Sequence, residues 1–206
     1  MKTLPIYTYG FDVLRKKTRK VTKIDDKFIE LVGSMFNTMH KASGVGLAAP
    51  QIGSELALTV IDISRTEEKK KIRTEPITLI NPVLRDYHGE ITLEEGCLSI
   101  PYVRGDITRP ETIYIEYQDL DLNKHHIELK GFLARVAQHE IDHLNGILFI
   151  DHMNKEEKKK IKPDLDMIRK GDIDAEYLLA ELPLKQKPIP YKGKHVIKQL
   201  NNQSGK

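Results

Sequence analysis

The chain holds 206 residues, 39% hydrophobic and 31% charged, with a formal net charge of +3, a size and balance that suit one globular domain with a sizeable core. No apolar run approaches the roughly 18 residues of a membrane span, and Met1-Lys2-Thr3-Leu4-Pro5 lacks the apolar centre of a signal peptide, so a cytoplasmic protein is expected. The single cysteine, Cys97, excludes an internal disulfide, a four-cysteine zinc cluster and a CxxC redox pair.

Residues 4–20 mix Pro5, Gly10 and basic side chains and read as an extended arm with a short helical turn near Asp12–Arg15. From Asp25 to about Ala42, Phe28, Leu31, Val32, Met35, Phe36 and Met39 fall at helical spacing, one apolar stripe of a long helix. Such a stripe reads as core packing. Ser43-Gly44-Val45-Gly46-Leu47-Ala48-Ala49-Pro50-Gln51-Ile52-Gly53 follows, rich in small residues that let a backbone approach a ligand closely. It lacks the Gly-Lys-Ser/Thr of a phosphate-binding loop, which argues against nucleotides.

Leu56–Ile63 is β-branched and reads as a buried strand; Arg65–Pro76 is charged and reads as an exposed loop. Ile77–Leu84 reads as a second strand, and Pro82 inside it predicts an edge position or a bulge. Glu90–Leu93 adds a short strand, after which Glu94-Glu95-Gly96-Cys97-Leu98-Ser99-Ile100-Pro101 forms a tight turn around the cysteine. Thr112–Gln118 and Lys124–Lys130 flank Asp119-Leu120-Asp121-Leu122-Asn123 as an antiparallel hairpin. Phe132–Asn145 is helical and stops at Gly146, a C-terminal capping glycine. Met153–Lys170 is helical with an adjustment at Pro163. The expected fold is therefore α+β, with antiparallel strands packed around a central helix, a long N-terminal helix and a C-terminal helix. Residues 1–170 form the catalytic domain in this reading, and 171–182 add an extra strand. From Pro183 to Lys206 there are six lysines and no acid, which leaves residues 1–182 at +3 − 6 = −3 and predicts a basic, poorly ordered tail.

The central helix carries His139-Glu140-Ile141-Asp142-His143, a His-Glu-x-x-His sequence. At about 100° per residue, two histidines four apart lie about 40° apart and can share one metal ion. Glu140 then flanks the ion and can take a proton from water. Water-activating sites keep three protein ligands and an open position, so a third ligand is required. A downstream carboxylate (Asp164, Asp166 or Glu176) would indicate a zinc protease. A histidine at metzincin spacing fails, because position 149 is Phe149. Cys97, in its glycine turn, is the third candidate, and as a thiolate it is a strong soft ligand.

Three blocks together resemble peptide deformylases: Gly44-Val45-Gly46-Leu47-Ala48-Ala49-Pro50-Gln51, Glu95-Gly96-Cys97-Leu98-Ser99, and Gln138-His139-Glu140-Ile141-Asp142-His143. The resemblance covers roughly residues 4–170. It implies that Cys97, His139 and His143 bind one divalent ion, Fe²⁺ in the working enzyme, with Zn²⁺, Ni²⁺ or Co²⁺ as substitutes. It implies that Glu140 is the general base, and that the Gln51 side-chain amide and the Leu98 backbone N–H donate to an oxyanion. The substrate implied is the formyl group of N-terminal formylmethionine on nascent polypeptides. The backbone around Val45 and Gly46, with Gly96, would hold the peptide, and Val45, Leu93, Phe132 and Val136 would line the methionine pocket. The lysine-rich tail suggests contact with ribosomal RNA. Neither DNA nor a membrane is an expected partner.

Overall fold

Local chemistry sets the first helix, α1 (Asp26–Lys41), whose start is capped by the Asp25 carboxylate accepting the Phe28 N–H at 3.1 Å. Its stripe of Phe28, Val32, Met35 and Met39 is buried against Leu47, Leu58, Val60 and Ile80, which confirms the packing role read from the periodicity. The computed structural model describes residues 1–64, 66 and 75–181. The charged loop (apart from residues 66, 75 and 76) and the basic tail therefore lie outside the described residues.

Among the described residues seven strands follow in chain order: β1 (Gly46–Ala48), β2 (Leu58–Ile61), β3 (Ile77–His88), β4 (Ile91–Cys97), β5 (Ile100–Arg109), β6 (Thr112–Gln118) and β7 (Lys124–Lys130). Five form an antiparallel sheet in the order β1-β2-β3-β6-β7, and β4–β5 form a separate hairpin. Pro82 sits at a bulge inside β3: the pairing with β6 shifts between Ile80 and Val83, and Asn81 takes a left-handed φ of 52°. The Asn81 side chain compensates by bonding both backbone groups of Val21 at 2.8 Å.

The central helix α2 (Gly131–Leu144) buries Leu133, Val136, Ala137 and Ile141 against Ile61, Ile113, Ile115 and Leu129 of the sheet. Beyond its end, Gly146 has φ 73°, and a Cβ there would collide with the Arg15 carbonyl, so only glycine fits. The last helix, α3 (Lys155–Lys170), is capped by Asn154, keeps Pro163 within it, and packs Leu165 and Ile168 beneath Ile100, Val103 and Ile107 of β5. The architecture is α+β, as expected. Among the described residues no helix is long and apolar enough to cross a membrane.

Three details differ from the sequence reading. The glycine-rich connection contains the edge strand β1, and β5 is a ten-residue strand that the sequence did not announce. In place of a strand at 171–182, Leu179 makes one isolated parallel bridge with Ile6, through bonds of 2.8 Å on either side. The next N–H of the arm, that of Tyr7, faces the other side and donates to the Gln51 carbonyl at 2.8 Å.

Candidate metal centre

Helix α2 and the β4–β5 hairpin meet at their functional residues. His139, Glu140 and His143 project from the helix, while Glu95 and Cys97 come from β4. Cys97 Sγ lies 3.2 Å from His143 Nε2. One ligand atom from each of Cys97, His139 and His143 falls within 4.8 Å of the others, close enough for the three side chains to draw together on one metal ion. His139 Nδ1–H donates to the Glu95 carboxylate at Oε2, 2.9 Å away, which leaves its other nitrogen free to bind a metal. Burial opposes a charge on His139, yet Cys97, Glu95 and Glu140 draw a proton onto it, and a cation is what such an anionic cluster accommodates. Burial keeps His143 neutral, the state in which imidazole binds metal. The donor set fits a divalent ion that accepts one thiolate and two imidazoles.

Glu95 is the anchor of this arrangement. Arg109 grips it at 2.6 and 3.1 Å, Arg135 reaches it at 2.7 Å, and Arg109 also pairs with Asp142 at 2.6 Å. Burial alone would raise the Glu95 pKa; the bonds from His139 and Arg109 outweigh it and hold the carboxyl well below the usual range. Two carboxylates thus meet two guanidiniums, with Glu95, Arg109 and Arg135 each at most 5% exposed. A buried network of this kind fixes geometry and is costly to break.

Glu140 is placed differently. Burial pushes its pKa up to about 7, and its Oε2 has no partner among the described residues. A Cβ on Gly46 would overlap the Glu140 carboxylate, so that glycine is needed for the carboxylate to lie against β1. Gln51 is buried: its Oε1 accepts the Ala48 N–H at 2.7 Å, and its Nε2 donates to Ser99 Oγ at 3.3 Å and toward Cys97 Sγ at 3.5 Å. The Leu98 N–H, in the turn between Cys97 and Ile100, donates to no group among the described residues.

A cleft of about 780 Å³ opens onto these groups, with Val45, Gly46, Gly96, Phe132 and Val136 in its walls. Leu93 is half-buried on β4 and is not among the lining residues. Among the described residues β1 and β4 each bond one neighbouring strand only, which leaves each an open edge. A second hollow, lined by Ile77, Tyr117, Ile127 and Leu129, shares no residue with the cluster. Sequence reasoning missed Arg109 and Arg135, and gave Glu95 no task. Glu176, weighed there as an alternative third ligand, lies in the cleft wall, and the reading missed its neighbour Tyr177, whose hydroxyl donates to the Leu98 carbonyl at 2.7 Å. Glu95 could have been found as the acid two residues before the cysteine; Tyr177, 79 residues from its acceptor, left no sequence signal.

Fold and site together have the form of a hydrolase of the His-Glu-x-x-His kind, with a cysteine placed where it could serve as the third ligand. The sequence profile of the polypeptide deformylase family matches residues 3–159, and the chain belongs to that family. It is 46% identical to a peptide deformylase of Chlorobium phaeovibrioides over 86% of this chain and 92% of the relative. The value is 44% for that of Chlorobaculum tepidum, over 86% and 94%. Among solved structures, the peptide deformylases of Legionella pneumophila (36% identity, TM-score 0.74, 83% and 98% covered) and Thermus thermophilus (37%, 0.74, 82% and 99%) share the fold.

Proposed function

We propose that this chain removes the formyl group from N-terminal formylmethionine of nascent polypeptides and releases formate. The observation that carries the reading is the convergence of Cys97, His139 and His143 beside Glu140, whose Oε2 has no partner among the described residues, in a cleft flanked by the edges of β1 and β4. An extended peptide can add to such edges, with Val45, Gly46 and Gly96 supplying backbone partners and Phe132 and Val136 an apolar wall for methionine. Leu93 would contribute to that pocket only from behind the lining residues.

When bound, the ion supplies Lewis acidity, polarising the formyl carbonyl and acidifying a water molecule. Glu140 takes the proton of the attacking water as its oxygen bonds to the formyl carbon. The negative charge that develops on the carbonyl oxygen is met by the Gln51 side-chain amide and the Leu98 N–H. Glu140 then returns a proton to the amine nitrogen as the C–N bond breaks, leaving formate and a free N-terminus. Its raised pKa suits a group that must both accept and release a proton near neutral pH. Glu95, by holding His139 Nδ1, orients that imidazole.

By family resemblance the working ion is Fe²⁺, and the ligand set also accepts Zn²⁺, Ni²⁺ or Co²⁺. In this reading the protein works in the cytoplasm, and the lysines after Pro183 hold it near ribosomal RNA at the exit of the nascent chain. The decisive assay is formate release from formyl-Met-Ala-Ser by anaerobically purified, iron-loaded protein, beside cleavage of casein. Formate without casein cleavage is expected; the reverse would make the chain an endopeptidase. Ribosome co-sedimentation that survives deletion of residues 183–206 would remove the tail's role.

A further inference from the structure

Residues 172–181 come back from α3 to the mouth of the cleft. The Tyr102 hydroxyl donates to the Asp174 carbonyl at 2.6 Å, Tyr177 reaches Leu98, and Ile6 clamps Leu178 and Ala180 from the far side. The acceptor chosen by Tyr177 is informative. It lies in the turn that joins β4 to β5, where Cys97 pairs with Ile100 and Leu98 and Ser99 occupy the corner. The Ser99 carbonyl is held by the Tyr9 N–H at 2.8 Å, and the Leu98 carbonyl by Tyr177. Two corner groups are left without a partner among the described residues, the N–H of Leu98 and that of Ser99, and the Leu98 N–H shares its residue with the carbonyl that Tyr177 holds. Planar peptides leave only the φ and ψ of residue 98 between that N–H and the held carbonyl, so fixing one restricts the other. A donor whose direction is set before the reaction stabilises developing charge without reorganising.

We propose that Tyr177 is a positioning residue for deformylation: its hydroxyl, by holding the Leu98 carbonyl, aims the Leu98 N–H at the oxygen of the substrate formyl group. This rests on the deformylase reading above. The competing role is a plain wall, in which the Tyr177 ring merely closes the cleft and the hydroxyl only tethers the C-terminal segment.

Tyr177→Phe keeps the ring and removes the bond, whereas Tyr177→Leu removes both. Both full-length variants are to be loaded with Ni²⁺, their bound metal measured, and formate release followed with formyl-Met-Ala-Ser. Because loss of a whole oxyanion donor costs about 10²–10³ in rate, a misaimed one is expected to lower kcat about 10-fold in Tyr177→Phe, with KM and metal content within about twofold. Tyr177→Leu adds a rise in KM on top of the same loss in kcat. An unchanged kcat in Tyr177→Phe overturns the proposal, as does a change confined to KM, or a loss that vanishes when activity is expressed per bound metal. If the wild-type protein releases no formate, the deformylase reading falls and this one with it. If the wild type is active and Tyr177→Phe matches it, only the positioning role falls.

Discussion

The two walls of the cleft are held by opposite means. On one side, α2 and the β4–β5 hairpin are joined by buried charges, with Glu95 bonded to His139, Arg109 and Arg135 at once. On the other, residues 172–181 are attached through two tyrosine hydroxyls and one isolated bridge, and much of that segment is exposed. A buried ion network with one member removed leaves uncompensated charge, whereas a single neutral hydrogen bond is worth about 0.5–1.5 kcal/mol net. The first wall is therefore committed to one geometry, and the second can be altered without touching the ligands.

The largest effect is expected inside the committed wall. Glu140→Gln keeps the shape of the side chain but cannot accept a proton, so kcat should fall about 10²–10⁴-fold, the range for a lost general base, with bound metal retained. Near-wild-type formate release by a metal-loaded Glu140→Gln protein would remove Glu140 from the chemistry.

Next comes the anchor. Glu95→Gln leaves Arg109 and Arg135 buried with one anion fewer, and the imidazole of His139 without its carboxylate. A loss of about 3 kcal/mol or more in unfolding free energy is expected, together with weaker metal retention. Urea denaturation and metal analysis of the purified variant check both; a stability within about 0.5 kcal/mol of wild type would show the network to be dispensable.

This contrast also explains what could be read from the sequence. The ligands and Glu140 were legible because two of the ligands and the base lie within five residues on one helix, and because Cys97 is the only cysteine. The long helices were legible from their apolar stripes. β5 was not: Tyr102, Arg104, Asp106 and Thr108 break any apolar run, and the strand is defined by pairing with β4 and by α3 beneath it. The charge network drew its members from β4, β5 and α2, so no local pattern marked Arg109 or Arg135. Tyr177 was least legible, since its role depends on a chain reversal after α3 that only tertiary contacts fix.

A pH effect of intermediate size separates Glu140 from its neighbours. Its folded pKa of about 7 stands above the ordinary 4.5, so the folded chain holds the proton more tightly than the unfolded chain. That contribution is fully present below pH 4.5 and is lost as pH rises through 7, at most about 3 kcal/mol. Asp142 runs the other way: burial would raise its pKa, but bonds from His152 and Arg109 lower it, so its contribution is lost as pH falls below the ordinary 3.8. In metal-stripped protein, Glu140→Gln should therefore gain in Tm over wild type as pH goes from 5 to 8. A difference in Tm that stays constant across that range would contradict the burial argument.

The smallest effect tests the lightly held wall. Tyr102 sits at φ 66°, a left-handed conformation rare for a side chain of this size, and the residue is 53% exposed. Its hydroxyl bond to the Asp174 carbonyl is the return for that placement. Because the donor is exposed and water can replace it, Tyr102→Phe should cost about 0.5 kcal/mol, the low end for one hydrogen bond. The local signature should be larger than the global one: amide exchange should quicken across residues 172–179, while the amides of α2 keep their protection, since segments with few buried contacts open independently of the core. Faster exchange in α2 as well would mean that the two walls are coupled, and that the C-terminal segment supports the metal centre directly.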